Sequence, residues 1–177
     1  RELGENRVKS ILSTFSCPLN KDVEHFLRQP AHAIEMARQS IAQTHLVFAS
    51  YQGAPVLIGY FTLAVKDFIV ERRHISRQLA DRVRKFSTST SDPSQKDYYK
   101  ITAPPIAQLG KNFSNGYNKL ITGDELLKLA IDKVTMVQEA IGGKIVYLEC
   151  EDKQPLVDFY THNGFSVFSK RPLDVDE

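Results

Sequence analysis

The sequence holds little that would commit it to a specialised environment. Its two cysteines, Cys17 and Cys150, stand far apart without a Cys-x-x-Cys partner, so neither a disulfide framework nor a zinc site is signalled. No apolar run approaches the roughly 18 residues that a membrane-crossing helix requires, and no membrane partner is expected. A net charge of +2 over 177 residues is too small to argue by itself for nucleic acid or an anionic surface. The five histidines, at 25, 32, 45, 74 and 162, lack any His-x-x-x-His spacing, so no metal is expected. Neither Gly-x-x-x-x-Gly-Lys-Ser/Thr nor Gly-x-Gly-x-x-Gly occurs, which argues against a nucleotide triphosphatase or a Rossmann dehydrogenase. Lone cysteines and the lack of a signal-like start point to a cytoplasmic protein, although the chain begins at Arg1 and what precedes it stays open.

What is present suits one globular domain with an insertion. Hydrophobic residues make up 42% and charged residues 25%, enough apolar surface for a single core. Val8–Phe15 alternates loosely and reads as a strand. Asn20 is a good cap for a short helix, and Pro30 can open a second whose Ile34, Ala37 and Ile41 share a face. "THLVFAS" and "PVLIGYFTLAV" read as a hairpin turning at Gln52-Gly53. Residues 67–97 read as the insertion, with Ile75, Leu79, Val83 and Phe86 at helical spacing and a polar loop behind them. "YYKITAPPIAQL" has strand composition, but Pro104-Pro105 must leave it bulged or unpaired on one side. The clearest period lies in Thr122–Ile141: Leu126, Leu127, Ala130, Ile131, Val134, Val137 and Ile141, ended by Gly142-Gly143. "KIVYLEC" reads as a buried strand, "QPLVDFYTHNGF" as a helix closed by Asn163-Gly164, and "FSVFSKR" as a last strand. Strands and helices alternate, which predicts an α/β (α+β) fold with a mixed sheet flanked by helices.

The stretch Gly110–Leu127, "GKNFSNGYNKLITGDELL", carries the chemistry. Thr122-Gly123-Asp124-Glu125 satisfies a capping box, so a well-made helix start explains part of it. The rest favours an anion: a strand runs into a long helix, Lys111 and Lys119 are cationic, and Gly116 and Gly123 allow close backbone approach.

Together with "FYTHNGF" downstream, the sequence resembles the Gcn5-related N-acetyltransferases (the GNAT superfamily) of bacterial type. The likeness runs from Val8 to Arg171 around the insertion and is sharpest from Ile106 to Phe168. It implies a single N-acetyltransferase domain over residues 1–177 with splayed central strands, one of them the Lys144–Cys150 segment. It implies an enzyme that binds acetyl-CoA and transfers the acetyl group directly to an amine. Leu109, Gly110 and Lys111 would hold the pantetheine arm. Gly116, Tyr117, Asn118, Leu120, Thr122 and Gly123 would line the pyrophosphate. Tyr160, four residues before Gly164, matches the tyrosine that reprotonates the departing thiolate. This loop departs from the family's shorter, more glycine-rich form.

A base must neutralise the amine, and Glu149 is the first candidate, with Glu151, Asp152 and Asp97 behind it. The run "ERRHISRQLADRVRK" concentrates Arg72, Arg73, Arg77, Arg82, Arg84 and Lys85 on the insertion. Nucleic acid is the less favoured partner, but some relatives are toxins that acetylate aminoacyl-tRNA, and the early helices and hairpin resemble that branch. The alternatives are therefore a toxin of that kind or a non-catalytic coenzyme-binding module. A homodimer through edge strands is a further expectation.

Overall fold

The computed structural model describes residues 4–88 and 98–170. They gather into two compact units. One comprises the residues up to Val65 with Pro104–Glu149, the other Lys66–Ala103 with the residues from Cys150 on.

The first unit opens with a helix, not the strand that loose alternation predicts. Val8, Ile11, Leu12 and Phe15 recur at i, i+3, i+4 and i+7, a helical period that outweighs the alternation, and Glu5–Ser13 is α1. Asn20 caps α2 (Lys21–Arg28) as predicted, its Oδ1 accepting from the amides of Asp22 at 3.0 Å and Val23 at 3.1 Å. Pro30 does not open the next helix; α3 is Ala33–Arg38, and Ile41 falls beyond it, exposed. The hairpin β1 (Ala42–Tyr51) and β2 (Ala54–Ala64) turns through Gln52 and Gly53, both at positive φ (50° and 79°), the conformation that matches strand twist.

β2 is the central strand, flanked by β1 and by β6 (Ile106–Lys111), all antiparallel. Every residue from Leu57 to Leu63 is buried, as a strand covered on both faces requires. On one face Leu12, Phe15, Val23 and Leu27 pack with Leu57 and Tyr60, whose hydroxyl donates to the Val23 carbonyl at 2.7 Å. α5 (Gly123–Ile141) buries Leu126, Leu127, Ala130 and Val134 as its period predicts. The stripe stops there, for Val137 and Ile141 are exposed, and the helix ends at Gly142 (φ 86°). The strand predicted over Lys144–Cys150 does not form; this segment makes a single parallel bridge, Tyr147 to Pro105.

The second unit contains a sheet of order β3-β5-β4, from β3 (Lys66–Glu71), β4 (Ser87–Thr88) and β5 (Tyr98–Ala103). Residues 68–71, the start of the run Phe68–Phe86 whose spacing predicts a helix, are thus strand. A 3-10 turn, Arg72–His74, follows, and the predicted helix contracts to α4 (Arg77–Val83), started by Ser76, whose Oγ accepts from the Leu79 amide. Ser76 caps in extended backbone, which is why one continuous helix through Ile75 does not form. The polar loop at 89–97 lies outside the described residues. Pro104-Pro105 separates β5 from β6, which belong to different sheets, instead of bulging one strand. α6 (Gln154–His162) forms as expected, whereas residues 165–170 contain no strand. Among the described residues no helix is long and apolar enough to cross a membrane.

Candidate functional site

In the first unit the site grows from the end of β6. One edge of β6 is laddered to β2 from Leu63–Ile106 to Gly59–Lys111. On the other edge the Ile106 amide donates to the Tyr147 carbonyl at 2.9 Å, and no further ladder follows among the described residues. The two segments part after one bridge, leaving main-chain groups between Ala107 and Lys111 available to an extended ligand. Leu109 and Lys111 are half-buried on this stretch.

Gly110 has a different reason to be glycine. A Cβ there would lie 2.4 Å from Val23 Cγ1 and 3.3 Å from Phe15 Cζ, so the strand touches α2 through its bare backbone. At Gly116 a Cβ would meet nothing within 4 Å, but φ is +73°, next to Asn115 at +53°. Glycine serves packing at one position and conformation at the other.

Sequence reading passed over Asn112, which is fully buried and satisfied. Its Oδ1 accepts from the amides of Ser16 at 2.9 Å and Ser114 at 3.0 Å, and its Nδ2 donates to the Leu57 carbonyl at 2.8 Å. In a loop-like composition, no local signal sets this asparagine apart from Asn115 or Asn118.

Beyond it, a kinked 3-10 segment, Ser114–Lys119, carries Tyr117, whose ring meets Tyr51 edge-on at 5.7 Å, with Asn118 half-buried and Leu120 partly exposed. Then α5 begins with the predicted capping box. The Thr122 hydroxyl accepts from the Glu125 amide at 3.1 Å, and Glu125 Oε2 accepts from the Thr122 amide at 2.7 Å. That amide bond, with the Thr122 hydroxyl and the Lys111 charge behind it, holds the Glu125 carboxyl below its usual range. The Glu125 carboxylate, whose charge near the helix start would disfavour an anion, is thus folded back onto Thr122.

Glu149 is exposed at the close of the first unit, in backbone without regular structure. In the second unit Glu151 pairs with Lys153, and Asp152 with Lys170 at 2.6 Å. Asp97 lies outside the described residues.

Tyr160 belongs to α6 in the second unit, half-buried, with Phe159 and Phe165 edge-on at 4.9 and 5.9 Å. The Phe165 amide donates to the Tyr160 carbonyl at 3.0 Å and the Gly164 amide to the Thr161 carbonyl at 3.0 Å, with Gly164 at φ +87°. This is a Schellman closure with its usual apolar contact, so Tyr-x-x-x-Gly-Phe is first a helix-ending device. Burial, and next the Cys150 thiolate, push the Tyr160 phenol up to about 12. The Cys150 thiol is itself raised, by burial and then by Asp152 and Glu151. Among the described residues no three His, Cys, Asp or Glu side chains form a metal cluster.

No protein-family model matches this chain, and no curated protein matches it significantly. Solved structures do. The toxin AtaT complexed with acetyl-methionyl-tRNAfMet is 18% identical with a TM-score of 0.64, over 91% of this chain and 82% of that one. A tyrosine-to-phenylalanine mutant of AtaT is 21% identical with a TM-score of 0.59, over 88% and 74%. AtaTR bound with AcCoA is 19% identical with a TM-score of 0.57, over 87% and 77%. At such identities the likeness establishes the fold, and it is the GNAT fold that the sequence motifs imply.

Proposed function

We propose that this chain is an acetyl-CoA-dependent N-acetyltransferase, one catalytic domain over residues 1–177, that transfers the acetyl group directly to an amine. The observation that carries the reading is the single-bridge divergence of β6 from the Tyr147 segment, which opens a strand edge leading into a glycine-containing loop and a capped helix. It gains support from the shared fold with AtaTR bound with AcCoA.

The main chain of Leu109, Gly110 and Lys111 would hold the pantetheine arm as an added strand. Amides of Gly116, Tyr117, Asn118, Leu120, Thr122 and Gly123 would face the pyrophosphate, with Lys111 and Lys119 supplying charge. When bound, acetyl-CoA supplies the thioester carbonyl that the amine attacks. Glu149 would take the proton that the attacking nitrogen loses, and the Tyr160 phenol would donate a hydrogen bond to the departing sulfur. With its phenol near 12, Tyr160 keeps its proton. The phenol therefore stabilises the departing thiolate as a donor.

The acceptor we infer is the amino group of an aminoacyl-tRNA. The specific observations are AtaT's complex with acetyl-methionyl-tRNAfMet and the exposed cations Arg72, Arg73, Arg77, Arg82, Arg84 and Lys85 on the 3-10 turn, α4 and the residues after it.

Calorimetric titration with acetyl-CoA, and with adenosine 3′,5′-bisphosphate as the phosphate-bearing fragment, tests the first claim. Micromolar binding that the fragment largely retains is expected. Absence of binding would end the reading. Thiol release on adding charged tRNA tests the acceptor, and binding without release for any amine would leave a non-catalytic coenzyme module.

A further inference from the structure

We infer that Asn112 is the positioning residue of the coenzyme loop, and that it couples this loop to the Thr14–Cys17 turn held by Glu24. The inference rests on the coenzyme-binding reading above.

Asn112 is the buried polar group through which three segments meet. Its side chain joins Ser16, Ser114 and Leu57, and its own amide donates to the Ile58 carbonyl at 2.8 Å. The next two residues repeat the attachment. The Phe113 amide donates to the Ser16 carbonyl at 2.7 Å, and Ser114 Oγ donates to the Thr14 carbonyl at 2.6 Å. From the other side the turn is held by Glu24, whose Oε2 accepts from the Cys17 amide at 2.7 Å and from Ser16 Oγ at 3.1 Å. Lys21 and Arg28 flank that carboxylate.

Immediately after these bonds, Asn115 and Gly116 adopt left-handed backbone. Consecutive residues of that kind persist where their surroundings over-determine them. The bonds at 112–114 are the fixed end from which that turn departs, so they set the direction in which the Gly116–Gly123 amides point. A buried amide whose three hydrogen bonds all go to main chain also has no packing substitute, because an apolar residue of its size leaves two amides and a carbonyl unpaired.

Two consequences are measurable. Loss of the network weakens coenzyme binding more than it slows turnover. Binding at the loop is also felt at Ser16 and Cys17, remote in sequence from every residue proposed to hold the coenzyme.

The experiment compares the full chain with Asn112→Leu and Glu24→Gln, using calorimetry with coenzyme A, steady-state kinetics and hydrogen exchange. Asn112→Leu should raise the coenzyme Kd and the KM for acetyl-CoA at least tenfold, exceeding any fall in kcat. Glu24→Gln, a swap that keeps shape at a side chain 13% exposed, should raise Kd about threefold and covers the case in which Asn112→Leu does not fold. In the unaltered chain, coenzyme A should slow exchange at the Ser16 and Cys17 amides. Coenzyme binding by the unaltered chain with neither variant weakened, or with no change in exchange at the turn, overturns the inference and leaves the functional reading standing. Failure of the unaltered chain to bind coenzyme A overturns both.

Discussion

Replacing Gly110 by alanine should destabilise the protein because of a specific collision. The new methyl would lie 2.4 Å from Val23 Cγ1, with Phe15 Cζ at 3.3 Å and Tyr60 Cε1 at 3.4 Å. Carbon atoms rest about 3.5–4.0 Å apart, so Val23 must retreat by more than about 1 Å. It has nowhere to go, being only 8% exposed, between Phe15 at 1% and Tyr60 at 0%. Overpacking of this kind costs about 1–3 kcal/mol. For a chain of this length that lowers the melting temperature by roughly 2–12 °C. Val23→Ala alone should cost about 1.5 kcal/mol for the two lost carbons. Since Val23→Ala removes the clashing atom, the double variant should lose less than the sum, with a coupling of about 1 kcal/mol. Urea denaturation of the four proteins, followed by circular dichroism, measures all three quantities. Strict additivity would refute the collision. An alanine variant that melts like the parent but no longer binds coenzyme A would show that Gly110 is kept bare for a ligand.

Three further outcomes follow from the site. Thr122→Ala should cost about 1 kcal/mol at neutral pH by removing the helix cap. Glu125 has a folded pKa below its ordinary 4.5, so its stabilisation is present above that value and lost as pH falls through the folded one. The gap between variant and parent should therefore narrow in acid, read as melting temperatures at neutral pH and near pH 3. Tyr160→Phe keeps the ring between Phe159 and Phe165, so stability should hold, while kcat falls by about 10–150-fold for one lost hydrogen bond to a developing thiolate. An unchanged kcat with a working acceptor would remove Tyr160 from the chemistry. Changing Arg72, Arg73 and Arg77 together to alanine should weaken tRNA binding and reduce the salt dependence by about one unit of slope for each phosphate no longer neutralised. An unaltered slope would place the RNA elsewhere.

The parts of this fold that were legible in sequence are those fixed by local chemistry. Asn20 and Thr122 announce their caps, Gln52-Gly53 its turn, and the apolar period of α5 its buried face. What misled were short segments whose partners are remote in sequence. Val8–Phe15 fits two periods, and its helical one prevails where Leu12 and Phe15 meet Val23, Leu27 and Leu57. The composition of Lys144–Cys150 favours a strand, yet a strand needs an edge to ladder with, and β6 offers this segment one bridge. Of the candidate site, the order of strand, glycine-containing loop and capped helix was legible, and β6, the Ser114–Lys119 segment and α5 follow it. Asn112 and the packing role of Gly110 were not, because both depend on Ser16 and Val23, which lie about ninety residues earlier in the chain.

The two units are interleaved in the chain, which passes between them after Val65, Ala103 and Glu149. That has a consequence for biosynthesis. β2 emerges from the ribosome next to β1, but β6, its other neighbour, begins 42 residues after β2 ends (106 − 64). At ordinary elongation rates of about 5–20 residues per second this is a wait of roughly 2–8 s. Throughout it, β2, whose residues Leu57 to Leu63 end up buried, has one edge unladdered and lacks α5 to cover it. The first unit is complete only once Glu149 has been made, and the second only with the residues from Cys150 on, so a nascent chain stalled before Lys111 leaves the second edge of β2 unladdered. The order in which this fold is written thus sets when it is most vulnerable.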